Sequence, residues 1–192
     1  MNALLAFDPE SHTYTWKGRE VPSVTTVLAR VGIINTDYLK EEAAWRGSVV
    51  HRVCELDDLG TLDESTVDAQ ALPYLEAWRK FKRETGFVAE EIERPRYDAH
   101  YGYAGTPDRI GRCKNSAVVI DLKTGAEMKH HKVQLAAYSH LLNFPWSRRR
   151  FVVRLKPDGS YIVPGEYSVA SLREDFNVFL WALNIFNWKG EK

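Results

Sequence analysis

The run Gly105–Gly125, GTPDRIGRCKNSAVVIDLKTG, reads as two strands about a turn, yet it carries two acids, Asp108 and Asp121, and a lysine, Lys123. Strands of a folded chain bury one or both faces, so these charges constrain the fold more than any other feature. On AVVIDLKTG side chains alternate, with Val118, Ile120 and Leu122 facing one way and Val119, Asp121 and Lys123 the other. A turn near Lys114-Asn115-Ser116 brings Asp108 across from Asp121, and the Gly-Thr-Pro ahead of Asp108 resists regular pairing and lets the chain bend. Two carboxylates at that range repel unless a cation lies between them. Lys123 offsets part of the charge, and a hard divalent cation, Mg2+ or Mn2+, fits convergent oxygen ligands better. An Asp–Lys ion pair at a strand end, beside an unrelated turn aspartate, is the other reading, and the D-x-K tripeptide alone leaves both open.

The flanking sequence supplies elements of both kinds. HTYTWKGREV alternates about Lys17-Gly18 and predicts a hairpin. PSVTTVLARVG predicts a short helix with Ser23 as N-cap and Gly32 as stop. A longer helix is expected from Asp37 to Leu59 with Trp45, Val49, Val53 and Leu56 inward, and another from Asp68 or Pro73 to Gly86 with Tyr74, Leu75, Trp78 and Phe81 inward. Strands are expected at Phe87–Tyr97, Tyr101–Gly111 and Ala117–Leu122, then a helix from Lys129 to Leu142. Strands near Phe151–Leu155 and Tyr161–Val163 and a final helix from Ser168 to Trp188 close the chain. Helices before and after a hairpin-containing sheet predict a mixed α/β fold. With 192 residues, 44% of them hydrophobic, one domain spanning 1–192 is expected: an N-terminal hairpin and short helix (1–35), a motif-bearing core (36–145), and C-terminal strands and helix (146–192).

Composition excludes several classes. Lys plus Arg and Asp plus Glu both number 26, so no global field steers the chain toward a polyanion. The distribution is uneven, however. Seven acids and no Lys or Arg lie between Glu55 and Glu76, whereas eight basic residues face two acids from Asp121 to Lys156. The basic segment from Trp146 to Lys156, with Arg148, Arg149 and Arg150, is the candidate for tracking a phosphate backbone, and solubilising a loop is the alternative. Cys54 and Cys113 are too few for a four-cysteine zinc or iron–sulfur site. The N-terminal MNALLAFDPESHTYTW lacks a basic leader, and no apolar stretch approaches the roughly 20 residues that span a bilayer, so a cytoplasmic protein with no membrane partner is expected.

Two helices add polar groups. GSVVHRVCE puts Gly47, His51 and Glu55 on one stripe, with His51 a candidate imidazole ligand and Glu55 a candidate acid, and QLAAY sets Gln134 and Tyr138 one turn apart. The order G-x-x-x-H-x-x-x-E, G-x-x-D, hydrophobic-D-x-K-[TS]-G, Q-x-x-x-Y resembles the motif series of the PD-(D/E)XK nuclease superfamily, in its RecB-type exonuclease branch. The pieces are Gly47/His51/Glu55, Gly105/Asp108, Asp121/Lys123/Thr124/Gly125 and Gln134/Tyr138, and PSVTTVL resembles the segment before the first motif in phage recombination and mitochondrial genome-maintenance exonucleases. The resemblance runs from Tyr14 to Leu142. It departs from one sub-branch in lacking the cysteines of an iron–sulfur cluster, and no nucleotide-binding G-x-x-x-x-G-K-[ST] is present.

The resemblance implies a restriction-endonuclease-like central mixed β-sheet flanked by helices, and a metal-dependent DNA exonuclease of recombination, repair or replication, in a bacterial or phage-infected cell. It implies that Asp108, Asp121, the Leu122 carbonyl and His51 hold Mg2+ or Mn2+, that Lys123 orients a water, and that Glu55 supports a ligand water or a second metal. Gln134 and Tyr138 are expected to position the strand, Ser23, Thr25 and Thr124 to contact the substrate, and a replication or recombination protein to be the partner. An endonuclease on the same fold and a non-catalytic DNA- or partner-binding domain are the alternatives. Trp16, Trp45, Tyr101 and Tyr103 offer faces for stacking bases or for core packing.

Overall fold

The computed structural model describes residues 4–35, 41–142 and 149–190. Three short strands, β1 (Leu5–Asp8), β2 (Thr13–Trp16) and β3 (Arg19–Val21), form an antiparallel sheet in which β2 and β3 turn at Lys17 and Gly18, both with positive φ. Helix α1 (Val24–Arg30) follows, capped by Ser23, whose side chain accepts from the Thr26 amide, and Gly32 stops it at φ 80°. Helices α2 (Glu41–Asp58) and α3 (Leu72–Thr85) come next; Gly86, left-handed at φ 64°, ends α3.

The main sheet has six strands: β4 (Phe87–Ile92), β7 (Arg109–Cys113), β8 (Ser116–Lys123), β9 (Arg149–Leu155), β10 (Tyr161–Ile162) and β11 (Glu166–Tyr167). Its order is β10-β9-β8-β7-β4, with β11 also on β9. The β8–β9 pair is parallel and the other pairs are antiparallel, so the sheet is mixed. Helix α4 (His130–His140) lies in the crossover between the two parallel strands, and α5 (Val169–Gly190) follows β11. A separate pair, β5 (Arg96–Asp98) and β6 (Tyr103–Gly105), carries the chain from β4 to β7.

The β8 alternation divides the core. Val119 joins Ile110 and Val152 under α1, α4 and α5, while Val118, Ile120 and Leu122 join Phe151 and Val153 under α2 and α3. The result is a mixed α/β fold with helices on both faces of the sheet.

Two expected features are corrected. On α2 the inward stripe is Val50, Cys54 and Asp58 with Val53, and Trp45 is 45% exposed. The cause is electrostatic: Asp57 and Asp58 meet Arg79 and Lys82 of α3, and Asp58 also takes Arg109, which fixes the rotation of the helix. The strands expected as Phe87–Tyr97 and Tyr101–Gly111 are each interrupted, at Glu93–Pro95 and at Thr106–Asp108. Glu93 has φ 45° and precedes Arg94-Pro95, while Pro107 cannot donate to a ladder. The two breaks meet, the Glu93 amide donating to the Asp108 carbonyl at 3.1 Å.

Candidate active site

The register Arg109↔Ile120 sets Asp108, just before β7, across from Asp121 near the end of β8. Asp108 Oδ2 accepts the Leu122 amide at 2.7 Å, so one carboxylate is fastened to the backbone that carries the other. Asp121 is fully buried. Its Oδ1 accepts Lys123 Nζ at 2.9 Å and Gln134 Nε2 at 3.4 Å. Its Oδ2 lies 2.8 Å from Nζ as an ion pair but accepts no hydrogen bond. Burial raises the pKa of both acids, against the attraction of His51 for Asp108 and of Lys123 for Asp121. Burial opposes the charge on Lys123, but Asp121 and Asp108 outweigh it and raise the pKa of the ammonium.

From the other face of the sheet α2 delivers His51, whose Nε2 is 2.9 Å from the Leu122 carbonyl oxygen. Its Nδ1 lies 3.6 Å from Asp108 Oδ2 and 3.8 Å from Glu93 Oε1. Although burial works against the imidazolium, Asp108 and Glu93 hold its pKa up at about 9. Ligand atoms of His51, Glu93 and Asp108 all lie within 4.8 Å of one another, the geometry of a site able to hold a metal ion. Hard carboxylate oxygens, a peptide carbonyl and one imidazole are a donor set suited to Mg2+ or Mn2+.

Glu93 is the acid that the sequence reading missed. It is brought in by the break after β4 and held by Arg109, which is fully buried: Nη1 donates to Glu93 Oε1 at 3.1 Å and to the Asp108 carbonyl at 2.6 Å, and Nε to Asp58 Oδ2 at 2.6 Å. The available signal was the proline two residues after an acid, which ends a strand there.

Gln134 and Tyr138 reach the acids from α4. Gln134 Nε2 donates to the Tyr138 hydroxyl at 3.1 Å as well as to Asp121, and both residues are buried. Tyr138 packs on Gly105, where a Cβ would come within 2.8 Å of its ring, so the G-x-x-D and Q-x-x-x-Y motifs touch. An open cleft of about 420 Å³ leads to Lys123 and Gln134 between Thr25, Thr26, Ala29, Ile34 and His130.

Other expected site residues lie elsewhere. Glu55 pairs with Arg52 at 2.7 Å and is not among the groups gathered around His51. Ser23 is buried and committed to capping α1, its Oγ bonded to the Thr26 amide and to the Thr25 and Thr26 hydroxyls, so it offers nothing to a phosphate. Arg150 is corrected from a surface contact to a core residue: it has no exposed surface and donates to the Lys132 and Ser168 carbonyls, Ser171 and Asp175, because its strand position faces α4 and α5. Arg149 is exposed and paired with Glu166. Thr124 is half-buried just past β8, and Arg148 lies outside the described residues. Of the aromatics, Tyr103 is buried, Trp16 stacks on Tyr97, Tyr101 meets Phe176 edge-on, and Trp45 is exposed.

Residues 68–150 match the family model of the PD-(D/E)XK nuclease superfamily. That segment holds Glu93, Asp108, Asp121, Lys123, Gln134 and Tyr138, and stops short of His51. Among solved structures, an alkaline exonuclease (LHK-Exo) from Laribacter hongkongensis aligns at TM-score 0.35 and 14% identity over 85% of this chain and 87% of that one. Its complex with dAMP aligns at TM-score 0.35 and 12% identity over 86% and 88%. The crystal structure of SSO0001 aligns at TM-score 0.33 and 20% identity over 82% and 83%. Superpositions this loose carry no functional weight. No curated protein matches the chain.

Proposed function

We propose that this chain, a member of the PD-(D/E)XK nuclease superfamily through residues 68–150, is a metal-dependent deoxyribonuclease that hydrolyses phosphodiester bonds from DNA ends. The observation that carries the reading is the convergence at the end of β8. Asp108 is tied to the Leu122 peptide, Asp121 is tied to Lys123, and His51 is on the Leu122 carbonyl, with Glu93 beside it. His51, Asp108, Asp121 and the Leu122 carbonyl, with Glu93, would hold Mg2+ or Mn2+. When bound, the cation would polarise the scissile phosphate and lower the pKa of a water. The burial of Asp108 and Asp121 side by side, each with its pKa raised, supports that fit, since neighbouring buried carboxylates are costly until a divalent cation meets them.

Lys123 serves as a charge and not as a base. Its neighbours keep it protonated, and its ammonium faces the cleft, where it orients a water and offsets negative charge building on the phosphate. Gln134 holds Asp121 Oδ1 in place and is itself held by Tyr138, so α4 positions the acids. Thr25, on the cleft wall, is available to the sugar–phosphate chain. The motif order of the RecB-type branch supports action on ends. Work beside a replication or recombination protein accords with that branch.

The test is cleavage of end-labelled linear single strands, linear duplex and closed circles with Mg2+, Mn2+ or EDTA, by wild type and Lys123→Ala. Loss of linear substrate alone, abolished by EDTA and by the substitution, is the expected result. Cut circles would replace the exonuclease by an endonuclease. Tight DNA binding with no cleavage under any metal would overturn the enzymatic reading.

A further inference from the structure

Helix α5 buries one face and leaves another bare. Leu172, Phe176, Phe179, Ala182 and Leu183 pack into the core under α1 and α4, whereas Trp181 is 65% exposed, Ile185 47% and Trp188 74%. With the half-buried Val178, these residues are spaced three, four and three apart, the a/d spacing of a helix-pairing seam. Two large indoles left in water on one stripe are costly for an isolated chain.

The chemistry of the stripe selects its occupant. From Phe176 to Trp188 there is no charged residue, and the stripe is flanked by exposed Asn177, Asn184 and Asn187. Within α5 the exposed basic residues are Lys189 and Arg173, beyond the two ends of the stripe, too few to track a phosphate chain or to form the basic rim that holds an amphipathic helix on a membrane. A charged peptide finds no counter-charge. What fits is an uncharged helical face with matching apolar spacing, and the 176–188 stretch of α5 itself is one.

We propose that α5 is a homodimer interface, in which two copies pair antiparallel about a two-fold axis near Leu183. In that register Trp188 of one copy lies against Val178 of the other and Trp181 against Ile185, so each large ring meets a smaller β-branched side chain. Exposed tryptophans at this level contribute about 150 Å² each. With Ile185 the apolar stripe comes to roughly 400 Å² per copy, and the asparagine rim brings the pair near the ~1,200 Å² at which specific interfaces begin. A dimer of that size dissociates in the micromolar range, so its assembly is concentration-dependent.

Sedimentation velocity of the full chain up to about 100 µM, without DNA or metal, tests this. Ile185→Glu is compared with Ile185→Leu, and tryptophan emission is read on the same samples. A reversible dimer is expected for wild type and Ile185→Leu, with emission shifting to the blue as concentration rises, and at least about a tenfold weaker dimer for Ile185→Glu with unchanged circular dichroism. A wild-type monomer across the range would overturn the proposal. So would a dimer untouched by Ile185→Glu, since it would use another face.

Discussion

Replacing Asp121 by asparagine separates what the site needs for binding a cation from what the fold needs. Asp121 has no exposed surface. Burial, and then Asp108, raise its pKa despite Lys123 beside it. Asparagine is isosteric: its oxygen keeps the bonds from Lys123 and Gln134, while its nitrogen replaces the Oδ2 that stands 2.8 Å from Lys123 Nζ, so the ammonium has to turn toward the cleft. The raised pKa means that the ionised carboxylate costs folding free energy that a neutral amide of the same shape does not, whereas removing one partner of a buried ion pair costs about 3–5 kcal/mol when the other stays buried. Here Lys123 gives up an ion pair but is 25% exposed and regains water, so most of that cost is avoided and the net gain is at most about 1 kcal/mol. For a chain of this length that is at most roughly 2–4 °C in Tm.

The pH dependence has a definite sign. A carboxyl whose folded pKa is raised costs stability above that pKa, and the cost disappears below the unfolded value of 3.8. Asp121→Asn should therefore melt above wild type at neutral pH in EDTA, with the gap closing on acidification. Adding Mn2+ should raise the wild-type Tm and leave the variant nearly unchanged, as binding to the native state predicts. Differential scanning calorimetry in the two buffers reads both effects. A metal-free variant melting below wild type would mean that the carboxylate holds the fold together, and the account of a site strained in wait for a cation would fail.

Other consequences are independent of that one. With His51 held protonated up to about 9, a cation must displace its proton. Mn2+ affinity measured by calorimetry should therefore rise about tenfold per unit between pH 7 and 8, and His51→Gln should flatten the slope; an unchanged slope would remove His51 from the ligand set. Without metal the same imidazolium supports the fold fully below its unfolded pKa of 6.5 and loses that contribution as pH rises through 9. Arg150→Met, which leaves buried Asp175 with Lys132 and Ser171, should cost about 2–3 kcal/mol in urea unfolding, below the ~3–5 kcal/mol of a fully stranded charge, yet leave the salt dependence of DNA binding unaltered. A flattened salt slope there would return Arg150 to the DNA surface. Gly105→Ala, whose Cβ meets Tyr138 Cε1 at 2.8 Å and Leu141 Cδ1 at 3.0 Å, should cost about 1–3 kcal/mol and lower kcat more than KM, because displacing Tyr138 frees Gln134. Wild-type stability and kinetics in that variant would show that the two motifs are not coupled.

What the sequence made legible follows from periodicity. The β8 alternation put Asp121 and Lys123 on one face, and the turn after β7 put Asp108 opposite, as found. Charge was harder to read, because one sequence does not distinguish a solvated guanidinium from a buried one. Arg149 and Arg150 are adjacent in sequence, yet strand alternation sends the first to Glu166 at the surface and the second to Asp175 in the core. Glu93 escaped for a different reason. It sits at the end of an apparently continuous strand, and only its left-handed backbone turns it toward Asp108.

The acid run from Glu55 to Glu76 shows how the two faces of the sheet are joined. Asp57 and Glu64 take Arg79, and Asp58 takes Lys82, the Trp78 indole and Arg109. Arg109 passes the connection across to Glu93 and the Asp108 carbonyl. His51 precedes Asp58 by seven residues, two turns of α2, so seating Asp58 on Arg109 also aims the imidazole at the Leu122 carbonyl. An acidic stretch that reads as a solvated surface is, at its N-terminal end, the counter-charge for the guanidinium that braces the candidate site. Removing Asp58 would therefore leave Arg109 buried with one carboxylate fewer and loosen His51 and Glu93 together.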